Sequence, residues 1–301
     1  MNFLLHRCLH ALALVAAVSV GAFLLLEAAP GDYFTDLRAN PAIPAATIER
    51  LRVDYALDQP LLARLQRWGA SMLRGEMGLS VSWNRPVSEI LWPRVFNTAS
   101  LAAVGLGLAW AAGLSLGSLA AASRRWARPL SWLMTALTAI PDLLISVAIL
   151  YMAVRMGWMS ASNSLASAAL ALMLISLPSI FRHTTVSVRS VLGEPFVESA
   201  RAHGLPEWRV WIGHVLPAAA NPLISLFGLS VASLLSASLM VEVILGWPGL
   251  GPLLLEAIGN RDHPVVLATV VLSSLLLAGG NLLADLMLFA ADPRIRHRSL
   301  S

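Results

Sequence analysis

The chain has 301 residues, of which 57% are hydrophobic and 13% charged, with a formal net charge of +4 and a mean hydropathy of +0.71. That composition excludes an ordinary soluble domain and points to a polytopic membrane protein. All 21 basic residues are arginine, so neither a P-loop lysine nor a Schiff-base lysine is available. The charge is spread over loops, which gives no indication of nucleic-acid binding. One cysteine, Cys8, excludes an internal disulfide, and no histidine pair has zinc-ligand spacing. No metal and no cofactor are expected.

In chain order, Arg7 precedes an apolar run from Leu9 to Leu26. Its length and Glu27 argue for a retained transmembrane helix within residues 1–30 rather than a cleaved signal peptide. Residues 31–93 form the one long polar, proline-dotted tract. Ile48, Leu51 and Tyr55, and then Leu61, Leu65, Trp68 and Met72, fall at helical spacing. They predict a small helical extramembrane subdomain.

A core over 94–291 follows, with spans predicted at Thr98–Ser123, Leu130–Val154, Ser164–Phe181, Pro217–Val243 and Val265–Ala290. Residues 292–301 form a polar tail. The first of these spans carries Gly113 and Gly117, a spacing that permits close helix packing. Asp142, after Pro141 in the next, is the one carboxylate expected well inside a span. It either satisfies backbone groups freed at the proline, lies in an aqueous pathway, or takes a direct part in transport. The fifth span carries Ser225, Gly228, Ser230, Ala232, Ser233, Ser236 and Ser238. Ser225, Ser233 and Ser236, with Asp142, are the candidate pathway residues; a face of small residues also serves helix packing alone.

Between spans four and five lies a charged segment, 194–217. Pro195 suits a first helical position and Gly204 the residue just past a helix end. Pro206 restarts a helix in which Trp208, Trp211, Ile212 and Val215 predict one apolar stripe. The residues alone leave two readings open: an interfacial loop joining two spans, or a docking segment. Arginines at position 7, at 124, 125 and 128, at 182, 189, 201 and 209, and at 294, 296 and 298 alternate onto one side. The positive-inside rule then makes both termini and the 194–217 segment cytoplasmic, and the 31–93 subdomain external.

The wording Glu198-Ser199-Ala200, Gly204, Ile212 and Leu216-Pro217 resembles the EAA loop of ABC-importer permeases. Pro30-Gly31-Asp32, Leu57-Asp58-Gln59-Pro60, Arg74 to Ser80, the turn Glu242 to Gly251, Arg261 to Pro264 and Asp292-Pro293-Arg294 extend the likeness over nearly the whole chain. They resemble the dipeptide, oligopeptide and nickel branch, with Glu76-Met77 where that branch usually writes Asp-Leu. The resemblance implies an all-α polytopic protein of six spans in a bacterial inner membrane. It implies a cytoplasmic coupling helix and a small helical periplasmic subdomain. The chain itself would be no enzyme.

It further implies two ABC ATPase subunits docked on Glu198, Ser199, Ala200, Arg201, Ala202, His203, Gly204 and Leu205. A second homologous permease would complete the pathway, and a periplasmic substrate-binding protein would deliver peptides or similar small solutes. Nickel chelates or glutathione are alternative cargoes. A proton-coupled secondary transporter using Asp142, with inverted repeats and a broken helix pair, is the rival class. A non-transporting membrane assembly factor is a second rival. No internal repeat and no catalytic motif is evident.

Overall fold

The computed structural model describes residues 2–29, 59–157 and 164–291. Pro30-Gly31-Asp32, the periodicity at Ile48, Leu51 and Tyr55, and Asp292-Pro293-Arg294 lie outside them. In order, the helices are α1 (Asn2–Ala28), α2 (Leu61–Leu73), α3 (Val87–Ala122), α4 (Arg124–Ala139), α5 (Asp142–Arg155), α6 (Leu165–Leu192), α7 (Pro195–Ala202) and α8 (Glu207–Val210). A π turn (Trp211–Val215) joins α8 to α9 (Leu216–Leu245), and α10 (Leu250–Gly259) and α11 (His263–Ala291) complete the order. Among the described residues the β structure is one isolated bridge, Leu79 to Pro86.

The protein is all-α, and α1, α3, α6, α9 and α11 are each long and apolar enough to cross a membrane. The apolar pair α4 and α5, bent by 99°, makes a sixth candidate when the two helices are counted as one span. The sequence predicts one continuous span over Leu130–Val154; the structure breaks it at Ile140 and Pro141, both extended. The cause is local. Pro141 has no N–H to offer the preceding turn, and a residue before proline avoids the α region. Two further expectations shift. The fourth predicted span, α6, continues past Phe181 to Leu192, and Glu242 belongs to the last turns of α9 rather than to the following loop.

The chain divides into two compact units. One comprises Met1–Ala11, Thr98–Trp247 and Leu277–Ser301. Within it α6 packs most extensively on α9, and α3 approaches α6 closely at two glycines. A methyl group built on Gly113 would lie 2.5 Å from Ile180 Cγ2, and one on Gly117 would lie 2.7 Å from Thr184 Cβ. The predicted glycine pair thus does bring two backbones together, and the Thr185 hydroxyl donates to the Gly117 carbonyl at 3.3 Å.

The other unit comprises Leu12–Asn97 and Pro248–Leu276. Here α2 docks on α1 through Phe23 against Trp68, ring centres 5.5 Å apart. The Arg64 guanidinium donates both to Glu27 Oε2 at 2.7 Å and to Glu27 Oε1. The fully buried Asp262 carboxylate accepts from Ser80 Oγ at 2.6 Å and the Ser82 amide at 3.0 Å. It also accepts from the Val265 amide, capping α11.

Gly113→Val and Gly117→Val are expected to weaken the α3–α6 contact by about 1–3 kcal/mol through overpacking. Gly107→Ala, with nothing within 4 Å of its added carbon, should lose nothing. Thermal midpoints of the purified protein check this; equal midpoints for all three variants would remove the glycine argument.

Candidate functional site

The segment between α6 and α9 is built by its caps. Pro195 opens α7 at its first position. Gly204 closes it at φ +78°, as its place in the sequence predicts. The Gly204 amide donates to the Arg201 carbonyl at 2.9 Å and the Leu205 amide to the Ala200 carbonyl at 3.4 Å. That is a Schellman closure, with Leu205 as the apolar residue beyond the glycine. Across the turn, Arg201 Nε donates to Glu207 Oε1 at 3.0 Å and NH2 to Oε2 at 3.4 Å. Both side chains are exposed, so the pair orients α7 and α8 more than it stabilises them.

The π turn corrects the predicted stripe. Leu216 donates to Trp211 five residues back. Pro217 follows; it cannot donate, and its ring crowds the carbonyl four residues before it. Widening the turn relieves that crowding. The inserted residue re-registers the buried face, which runs Val210, Val215, Ala219, Leu223. Trp211 half-packs on it, while Trp208 and Ile212 are 60% and 63% exposed. The Arg209 guanidinium lies 5.1 Å from the Trp208 ring centre.

This face shares one apolar core with Val188 of α6, Val197 and Ala200 of α7, and the flanking Trp110 and Leu114 of α3. The predicted docking residues therefore divide. Glu198, Ser199, Arg201, Ala202, His203 and Gly204 are exposed. Ala200, 7% exposed, and the half-buried Leu205 face the chain's own core instead. The small size of Ala200 suits this internal packing. Phe196 and Trp208 are exposed as well; the sequence pattern assigns Trp208 to the apolar stripe and gives Phe196 no role.

Asp142 is the first residue of α5, exposed, at the break. Of α9, Ser225, Ser233 and Ser236 are exposed, on the face that also carries Leu229 and Met240. Ser233 and Ser236 donate within their own helix. Ser230 and Ser238 are buried, and Gly228 and Ala232 half-buried. On the opposite side Gly280 of α11 abuts Val231. Packing and exposed faces are thus separate on this helix. Glu242, not Asp142, is the fully buried carboxylate of the spans. Its position four residues before the helix-ending Gly246 makes it read as loop. Among the described residues no group of three or more His, Cys, Asp or Glu could hold a metal ion.

Residues 113–297 match the family described as binding-protein-dependent transport system inner membrane component. The chain belongs to that family. The permease is 31% identical to the oligopeptide transport system permease protein AppB of Bacillus subtilis, over 98% of this chain and 99% of that one. It is 33% identical to the glutathione transport system permease protein GsiC of Salmonella paratyphi A, over 99% and 100%. Its fold is similar to an inward-facing MetNI methionine ABC transporter chain, with a TM-score of 0.61 and 20% identity over 69% of this chain and 98% of that one.

The permease is thus the membrane component of a bacterial ABC importer, a multi-pass inner-membrane protein. Such components work with ATPase and substrate-binding subunits. The broken helix expected of the rival transporter class is present at 140–141, here within an importer permease.

Val215→Ser should destabilise the permease by on the order of 3 kcal/mol, through lost burial and a buried hydroxyl. Ile212→Ser should change stability by less than about 0.5 kcal/mol. Unfolding midpoints in detergent check the pair. The reverse order would restore an unbroken α-helical register.

Proposed function

We propose that this permease forms half of a translocation pathway for short peptides, glutathione among them, driven by two separate ATPase subunits. Full-length similarity to oligopeptide and glutathione permeases supports the cargo class. The observation that carries the coupling role is the division of the 194–217 segment. Its outer face, Phe196, Glu198, Ser199, Ala202 and His203, is open, and its inner face shares a core with α3, α6 and α9. A push on the outer face then tilts those spans as one body.

In this reading the segment and both termini are cytoplasmic, and the external subdomain receives a periplasmic binding protein. A second, homologous permease covers the exposed face of α9, so that Ser225, Ser233 and Ser236, with Asp142, line the pathway. Alternating access follows from closure of the ATPases.

Gly204→Val puts a β-branched residue at positive φ, a strain of roughly 1–3 kcal/mol. Ala202→Trp fills the outer face. Both should leave the permease in the membrane yet largely abolish binding-protein-stimulated ATP hydrolysis and uptake in the reconstituted complex. Glu198→Ala should do so more mildly, as an exposed charge contributes about 0–1 kcal/mol. Full stimulation in the first two variants at normal complex yield would reduce the segment to a connecting loop.

Sidedness has its own measurement. In a Cys8→Ser background, His203→Cys should react with an impermeant thiol reagent from the cytoplasmic side, and Glu76→Cys from the periplasmic side. The opposite pattern would sink the docking assignment.

A further inference from the structure

One extended residue, Ser123, separates α3 from α4. The stretch 95–123 is charge-free; Arg124 and Arg125 follow it directly, and Arg128 comes one turn later. All three arginines are exposed, and none has a hydrogen bond or ion pair among the described residues. Neither α4 nor α6 contains an acidic residue, and α3 has none after Glu89. The helices around this junction therefore supply no counter-charge. Arg189 of α6 adds a further cation there, its Nη2 donating to the Ala120 carbonyl at 3.2 Å. That bond sets the junction at the end of α6 from which the 194–217 segment departs. Unpaired guanidinium groups are costly in hydrocarbon, so the junction belongs where the bilayer turns polar.

The exposed face of α4 is ordered along its axis. Leu130, Met134 and Leu137 pack inward. Arg125, Arg128 and Trp132 fall at i, i+3 and i+7 on the opposite face. Trp132 is 76% exposed and Leu133 58%, and residues 129–141 carry no charge. Over about 13 Å of helix the face thus passes from guanidinium to indole to leucine. A phospholipid presents matching groups in the same order, from phosphate through the interface to the acyl chain. An acidic protein surface would match the arginines but leave Trp132 and Leu133 unmatched.

We propose that this junction is a selective site for an anionic glycerophospholipid of the cytoplasmic leaflet. Arg124, Arg125 and Arg128 hold its phosphate, and Trp132 and Leu133 receive the upper part of its chains. A zwitterionic lipid brings its own ammonium group to a site already rich in cations; an anionic headgroup does not, and this difference is the source of selectivity. The leaflet assignment rests on the cytoplasmic reading of the 194–217 segment above, whereas the lipid chemistry does not.

The test uses the complete transporter, ATPase subunits included, extracted in detergent and offered phosphatidylglycerol or phosphatidylcholine. Native mass spectrometry counts the lipids retained. The parent should prefer phosphatidylglycerol. Arg124→Gln, Arg125→Gln and Arg128→Gln together should lower that preference about a hundredfold, about fivefold for each arginine. Arg124→Lys, Arg125→Lys and Arg128→Lys together should keep most of it. Trp132→Ala should weaken retention of both lipids alike.

Equal preference in the parent and the triple glutamine variant overturns the proposal. So does a triple glutamine variant that sheds its ATPase subunits whichever lipid is supplied, because the arginines then face a protein. Should that variant fail to reach the membrane, Arg128→Gln alone decides: an unchanged preference overturns the proposal there too. Lipid retention in detergent is read without regard to sidedness. Labelling of His203→Cys from the periplasmic side would therefore overturn the leaflet assignment alone, and the retention measurement still decides the lipid site.

Discussion

A backbone amide in hydrocarbon has no water to bond, so its partner must lie within the same helix or in a neighbouring protein group. Most of this chain obeys that constraint with unbroken helices, and its departures from it cluster. Leu216 bonds five residues back in the π turn. Gly204 and Leu205 each hand an amide to the preceding turn in a Schellman closure. At Ile140 and Pro141 the ladder is interrupted: Ile140 donates only three residues back, to Leu137, and Pro141 has no N–H to give. Each departure lies within a few residues of a proline, and each coincides with a candidate for coupling or passage. The regular helices make the frame, and the interruptions make the places where something can bind or bend.

The frame was largely legible in the sequence because the hydrocarbon thickness sets a length that apolar runs must meet. The Gly113 and Gly117 spacing announced a close contact, though not that Ile180 and Thr184 would fill it. Gly204 was legible because few other residues take positive φ without strain. What escaped depends on which neighbour a side chain meets. Ala200 and Ala202 have the same propensity, yet one lies in the shared core and the other faces out. Pro141 signals a kink, but the 99° between α4 and α5 follows from α5 packing on α6 and α9. The stripe through Trp208 and Ile212 assumed 3.6 residues per turn, and one π turn moved it off the core.

The shared core beneath the 194–217 segment also bears on how force could travel. Val188, Val197, Val210 and Val215 come from four successive elements and are all fully buried. Burying each branched side chain contributes roughly 1.5–3 kcal/mol, enough for the segment and the inner ends of three long helices to behave as one body. In the proposed docking role the exposed salt bridge and cap set the shape of the lever. The valines fix it to what it moves.

Asp262 carries a consequence for how the molecule is made. Its carboxylate holds Ser80, 182 residues earlier in the chain. At a synthesis rate of about 5–20 residues per second, roughly 10–40 s separate the emergence of the two partners. Through that interval the turn around Ser80 and Ser82 exists without the acceptor that organises it, while most of the spans are still being inserted. The unit containing it closes only when the last long helix arrives. A chain cut short before that point can hold inserted spans and still leave this unit unfinished.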